Sequence, residues 1–249
     1  MMVKFMVTVL MFSGFGFLFD TQGYGELRKY GGDLKRRSAL GKIEIEVETF
    51  EWNGVKNVIF GFQNVWMGRD VGLIQLDPQE ADYLLGTGFK KEFTDKWFGA
   101  YLDHTCYHKI DTFVDRSLYW NKLKLLYSNQ DLKKFFTPGI IYYRLEMGFY
   151  LRHPDISWLT VGNPNQFDFL AKFHYTVPYG SKVMPFFDVS LYSGVTLQYN
   201  FTPEIELNVG IAIRGSYNEG LLYVGIRPLD KKGYREAQGA PYLGLKAKF

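Results

Sequence analysis

Long runs of strictly alternating apolar and polar residues limit what this chain can fold into more than any other feature. Ile205, Leu207, Val209, Ile211 and Ile213 share one face of an extended segment, and Glu206, Asn208, Gly210, Ala212 and Arg214 share the other. A period of two is the period of a β-strand with one apolar face. The pattern recurs with Ile141, Tyr143, Leu145, Met147, Phe149 and Leu151 on one side and Tyr142, Arg144, Glu146, Gly148, Tyr150 and Arg152 on the other. It returns in Phe167–Tyr175, in Phe187–Gln198 and in Leu222–Arg227. Soluble strands average about 5–6 residues, whereas a tilted strand crossing a bilayer needs about 9–11. Several of these runs reach the longer figure, which favours a membrane barrel over a soluble lipocalin-like binding barrel.

The expected fold is all-β, a transmembrane antiparallel barrel of about twelve strands, with ten as the alternative. Eleven strands are clear after residue 40, and one more is expected near Gly23–Tyr30 or Leu159. Single-chain bacterial barrels have even strand numbers. Aromatic residues make up 18% of the chain, enough to supply the interfacial girdles of such a barrel. Counting strands back from Phe249 puts Arg69–Glu80, Ile110–Asp115, Arg152–Asn165 and Asp230–Gly239 on the outer side. It makes Asn53-Gly54, Thr94-Asp95-Lys96 and Tyr179-Gly180 inner-side turns. The segment Asn200–Glu204 has the look of an inner-side turn, yet the same count places it outside.

The two ends of the chain carry addresses. Lys4 followed by the apolar run Phe5–Phe19 reads as a leader over residues 1–22, leaving 23–249 as a single barrel domain. The last strand puts Leu243, Leu245, Ala247 and Phe249 on one face, and Tyr242, Gly244, Lys246 and Lys248 on the other. A chain stopping on an aromatic after such alternation resembles the assembly signal of bacterial outer-membrane proteins. That resemblance implies the outer membrane, lipid as surroundings, and the barrel-assembly machinery as a partner of the C-terminal strand. The net charge of +3 points to no nucleic-acid partner. The single cysteine allows no internal disulfide.

One segment has unusual chemistry. Along Lys96–Ile110 the alternation places Phe98, Ala100, Leu102, His104, Cys106 and His108 on one face, the first three suited to lipid. A nucleophile two positions from a base on a strand projects beside it, so Cys106 with His104 or His108 forms a candidate catalytic pair, with Asp111 orienting an imidazole. A metal site built from His104, His108 and Asp111 is a further possibility. The bland alternative is a pair of polar rings in the headgroup region around a small apolar filler. The pair resembles that of the outer-membrane phospholipase and lipid A deacylase barrels, whose His-x-Ser pair sits on the lipid-facing wall; here Ser is replaced by Cys. The stretch His104-Thr-Cys-Tyr-His108-Lys-Ile-Asp111 is also similar to a His-x-Ser-Ser-His-x-x-Asp motif in a family of bacterial outer-membrane proteins of unassigned activity. Gly225–Pro228, Gly233–Glu236 and Tyr242–Leu245 resemble that family's C-terminal strand pair. Both serines of the motif are replaced, by Cys106 and Tyr107.

The other face of the strands supplies an interior. Arg144, Glu146, Arg152, Lys172, Asp188, Arg214 and Arg227 are expected to form a polar network in the lumen, together with Glu44, Glu46, His174, Glu206, Lys246 and Lys248. Bulky inward residues such as Tyr142, Tyr150, Tyr192 and Tyr223 favour a mostly filled lumen over a wide channel. No cofactor-binding motif appears. The leading expectation is a structural or transport barrel, and its rival is a lipid acyl hydrolase working through the Cys/His pair.

Overall fold

The computed structural model describes residues 15–31, 38–68, 77–110, 118–129, 136–152, 160–180, 182–216, 218–230 and 239–249. The chain runs through β1 (Phe15–Tyr30), β2 (Ala39–Trp52), β3 (Val55–Gly68), β4 (Asp77–Phe93), β5 (Lys96–Lys109) and β6 (Leu118–Ser128). It continues with β7 (Ile141–Tyr150), a two-residue piece β8 (Thr160–Val161), β9 (Asn165–Thr176), β10 (Val183–Thr196), β11 (Phe201–Arg214), β12 (Glu219–Asp230) and β13 (Pro241–Lys248). Each long strand pairs antiparallel with its neighbours, and β1 pairs with β13. The ring therefore closes as twelve strands, with β8 a spur on β6. Closure leaves no long strand edge without a partner, which hydrocarbon requires because it offers no water to unpaired backbone groups.

The pleat decides which residues meet lipid. Leu27, Ile43, Ile59, Leu85, Leu102, Leu125, Met147, Val209, Leu222 and Leu245 are all exposed on the outside of the ring. Leu85 is 66% exposed and Asp82, three positions away on the opposite face, is 1% exposed. This is the inverse of a lipocalin, so the soluble-barrel alternative is set aside. No described helix is long and apolar enough to cross a membrane, and the crossing is made by strands.

Phe15 and Phe249 lie at the same end of the barrel, with the shortest turns. Asn53 and Gly54 have φ values of 51° and 74° between β2 and β3, the paired positive angles of a type I′ hairpin. The connections 69–76, 111–117 and 231–238 lie outside the described residues and join strands at the opposite, outer end. The turn between β10 and β11 also falls at that outer end. The strand count places it correctly: Val195 pairs with Phe201 across the five residues 196–200, with Tyr199 at φ 59°.

The twelfth strand is β1, at the first of the two places expected for it; it starts earlier than Gly23, at Phe15, and pairs with β2 as far as Trp52. The physical reason is that the apolar run itself alternates at its end: Phe17 and Phe19 are exposed while Gln22 is buried. Near Leu159, the other place, the described residues form the two-residue strand Thr160–Val161.

The inward face is a charged and aromatic network. Arg28 donates to both carboxylate oxygens of Glu206 at 2.8 and 3.0 Å, and Arg227 donates to the same carboxylate at 3.0 Å. Tyr223 donates to Glu26, and Tyr242 donates to Asn208 Oδ1 at 2.6 Å. Lys90 pairs with Glu46 and with Glu48, the latter at 2.8 Å, while Lys122 meets Asp168 at 3.0 Å. Glycines make room for the aromatics: a methyl added at Gly244 would overlap the Tyr223 ring, and one at Gly225 the Tyr242 ring. A cavity of about 340 Å³ remains in the middle, bordered by Glu26, Arg28, Lys122, Asp168, Lys172 and Glu206 among others.

Removing one member of a buried ion cluster leaves its partners with too little opposite charge. Glu206→Ala would leave Arg28 and Arg227 buried without their shared carboxylate, at a cost of about 3–5 kcal/mol. The expected result is a clearly lower urea midpoint for the detergent-solubilised barrel, read by loss of its heat-modifiable gel mobility. An unchanged midpoint would show that the cluster contributes nothing.

Candidate active site

The outer ends of β5 and β6 build the site. His104 and Cys106 are the ninth and eleventh residues of the fourteen in β5, so both sit towards the outer rim and on the lipid-facing side. The register sets His104 opposite Asn121 of β6, and Cys106 between Tyr83 of β4 and Tyr119 of β6. Cys106 is a free thiol and only partly exposed.

Three side chains form a relay. His104 Nδ1 lies 2.9 Å from Asn121 Oδ1, and His104 Nε2 lies 2.9 Å from Cys106 Sγ. The amide oxygen can only accept, so Nδ1 carries the proton and Nε2 is left to accept from the thiol. The order of the three groups is the one a nucleophile, a base and an orienting group would take. The rings around the relay are aromatic: Tyr119 lies 6.1 Å from His104, and Tyr83 lies 5.8 Å from His108 in an edge-on arrangement.

The lumen holds this wall from behind. On the inner face, Tyr107 of β5, Trp120 of β6 and Tyr150 of β7 pack into a buried cluster. Lys124 of β6 meets Asp103 of β5 at 3.3 Å, tying the two strands that carry the relay. Lys122, next to Asn121 in the chain, is held by Asp168, which also accepts from Tyr150 at 2.8 Å. A residue facing lipid cannot be positioned by packing against a core, so this inward clamp does the work instead.

The candidate residues separate under this geometry. His104 and Cys106 are in contact, and His108 lies on the same face one strand period further towards the rim. Asp111 lies outside the described residues. The group that the structure sets against the His104 imidazole is Asn121, which does not stand out in the sequence. A signal was present: Tyr119, Asn121, Leu123, Leu125 and Tyr127 form an outward row in which one carboxamide interrupts an apolar face. Among the described residues no group of three His, Cys, Asp or Glu side chains is arranged to hold a metal ion.

Of the residues assigned to the lumen, Arg144, Glu146, Lys172, Asp188 and Arg227 line it. Arg144 bonds Glu146, and Asp188 bonds the imidazole of His174. Arg214 sits at the inner end, where its guanidinium donates to the carbonyl of Phe136 at 2.6 Å. Among the described residues, Arg152 bonds backbone carbonyls rather than the charged side chains of the lumen. It follows the end of β7, is exposed, and donates to the carbonyl of Asn165 at 2.8 Å. The alternation that predicts an inward Arg152 stops two residues earlier, at Tyr150.

A closed ring of tilt-length strands, apolar outside and charged inside, defines an outer-membrane β-barrel protein. No family profile and no curated protein matches the chain. Among solved structures, outer membrane phospholipase A from Escherichia coli aligns with 11% identity and a TM-score of 0.54, over 94% of this chain and 91% of that one. The outer membrane phospholipase dimer of Salmonella typhi with bound calcium aligns at 10% identity and a TM-score of 0.49, over 94% and 92%. OmpT of Vibrio cholerae aligns at 8% identity and a TM-score of 0.45, over 97% and 99%. At these identities the likeness is one of fold.

The relay makes the thiol of Cys106 sensitive to its neighbours. His104→Ala should slow alkylation of Cys106 by a lipid-soluble maleimide, and Asn121→Ala should slow it less. Equal rates for all three proteins would mean that the imidazole does not act on the thiol.

Proposed function

We propose that this barrel is a lipid acyl hydrolase of the outer membrane that cleaves acyl esters through Cys106. The observation that carries this reading is the contact of Cys106 Sγ with His104 Nε2 at 2.9 Å while Nδ1 faces Asn121 at 2.9 Å, on a wall bathed in acyl chains. The likeness of the fold to a barrel whose name is a phospholipase is in keeping with it. His104 takes the thiol proton as sulfur attacks the ester carbonyl. It then returns that proton to the departing lysolipid oxygen. Asn121 keeps the imidazole in the tautomer that leaves Nε2 free to do so. The substrate's acyl chains lie in the bilayer already, and its ester groups lie at the depth of the outer rim, where Cys106 sits.

The structural or transport reading has less support. The interior is crossed by ion pairs and by Tyr150, Tyr192 and Tyr223, and the remaining cavity of about 340 Å³ is divided among charged side chains of both signs. Such an interior suits a stiff scaffold for an outward-facing site.

Purified protein in mixed micelles with phospholipid should release fatty acid. Cys106→Ala should abolish release, and His104→Ala should lower it by about 10²-fold or more, the contribution expected of a general base. Asn121→Ala should cause a smaller loss. Equal release by wild type and Cys106→Ala, or none by either, would end the hydrolase reading.

A further inference from the structure

The outer wall has more chemistry than one hydrolytic relay needs. His104 serves the thiol from the deeper side, with Asn121 behind it. His108 follows on the rim side of the same face, two residues beyond Cys106. Two residues along a strand span about 6.6 Å, so an acyl group held on Cys106 would lie between two imidazoles. Hydrolysis uses one base twice, because the imidazole freed in the first step can activate water in the second. A second imidazole facing the headgroups has a place when the acceptor is another lipid arriving from that side.

The nucleophile points the same way. Attack by Cys106 produces a thioester. When a neutral amine adds to a thioester, the intermediate expels thiolate far more readily than it expels the amine, because the thiolate is the weaker base. Amines therefore compete with water better for a thioester than for an ordinary ester. Tyr83 and Tyr119 flank the thiol on the two neighbouring strands.

We propose that Cys106 passes its acyl group to the primary amine of a second lipid headgroup, with His108 taking the acceptor's proton. The proposal rests on the acyl-hydrolase reading above for its first half. In that half the C–O bond of the donor ester breaks, a C–S bond forms, and the thiol proton leaves on the lysolipid oxygen by way of His104. In the second half the amine nitrogen attacks the thioester carbonyl and gives a proton to His108. The C–S bond breaks, the thiolate departs, and the proton is returned to sulfur. The products are a lysolipid and an N-acylated lipid, with no oxidant, reductant or energy source consumed.

The test uses the full-length protein in vesicles of phosphatidylethanolamine with a labelled acyl chain, and in vesicles of phosphatidylglycerol, which has no amine. Intact-mass analysis reads a hydroxylamine-labile acyl adduct on Cys106, and chromatography separates N-acyl lipid from free fatty acid. The expected result is adduct in both vesicles but N-acyl lipid only with phosphatidylethanolamine. His108→Gln should retain or accumulate the adduct while N-acyl lipid falls by at least about tenfold. Adduct with fatty acid as the sole product in wild type would overturn the transfer and leave the hydrolase standing. An acylated phosphatidylglycerol formed as readily as the amide would overturn the amine as acceptor. Unchanged transfer in His108→Gln would remove His108 from the reaction. No adduct and no acyl release in wild type would overturn both readings together.

Discussion

A peptide group in hydrocarbon has no solvent to bond to, and each one left unpaired costs several kcal/mol. The pairing of β1 with β13 answers that constraint, because it turns an open sheet into a ring. The rest of the architecture follows from it. A closed ring of pleated strands has an inside and an outside, and every second residue is committed to each. Lipid takes the apolar set, so the charged set is forced into a space where water is limited and each charge needs a partner. Arg28 and Arg227 share the carboxylate of Glu206 for this reason. The glycines facing Tyr223 and Tyr242 exist for the same reason, since twelve strands leave too little room for a large side chain at every inward position.

The outward relay depends on the inward network. His104, Cys106 and Asn121 have lipid on one side and the ladder on the other, so their relative position is the register of β5 against β6. That register is held by backbone hydrogen bonds and, on the reverse face, by Lys124 with Asp103 and by the packing of Tyr107 with Trp120. A slip of one residue between the two strands would send Asn121 into the lumen and leave the imidazole without its orienting partner. The contacts of His104, Cys106 and Asn121 on the wall are thus positioned by the strand ladder and by the ion pair and ring packing behind it.

The strands were legible because a barrel in lipid cannot relax its alternation. Ile205 through Ile213 and Leu243 through Phe249 are read correctly for that reason. Residues at strand ends were harder. Arg152 continues the alternation of β7 on paper, but the ladder has already ended and the side chain turns to backbone carbonyls. Phe15–Gln22 carries two patterns at once, an apolar run and an alternating strand, and composition alone favours the first. At the site, His104 and Cys106 stand out because polar groups are conspicuous on an apolar face. Asn121 obeys the same rule, but seventeen residues separate it from His104, and nothing local links them.

The sequence by itself determined that the chain would form long strands with one face for lipid and one for a polar interior. A period of two needs no partner to be read, since it is a property of the extended backbone. It also determined that His104 and Cys106 would stand side by side, because both lie on one strand face. Tertiary structure alone decided which strand lies beside β5 and in what register. That choice brought Asn121 to the imidazole and put the lumen's ion pairs behind it. The reason is physical: contacts within a strand depend on a fixed repeat, whereas contacts between strands depend on how the whole ring closes.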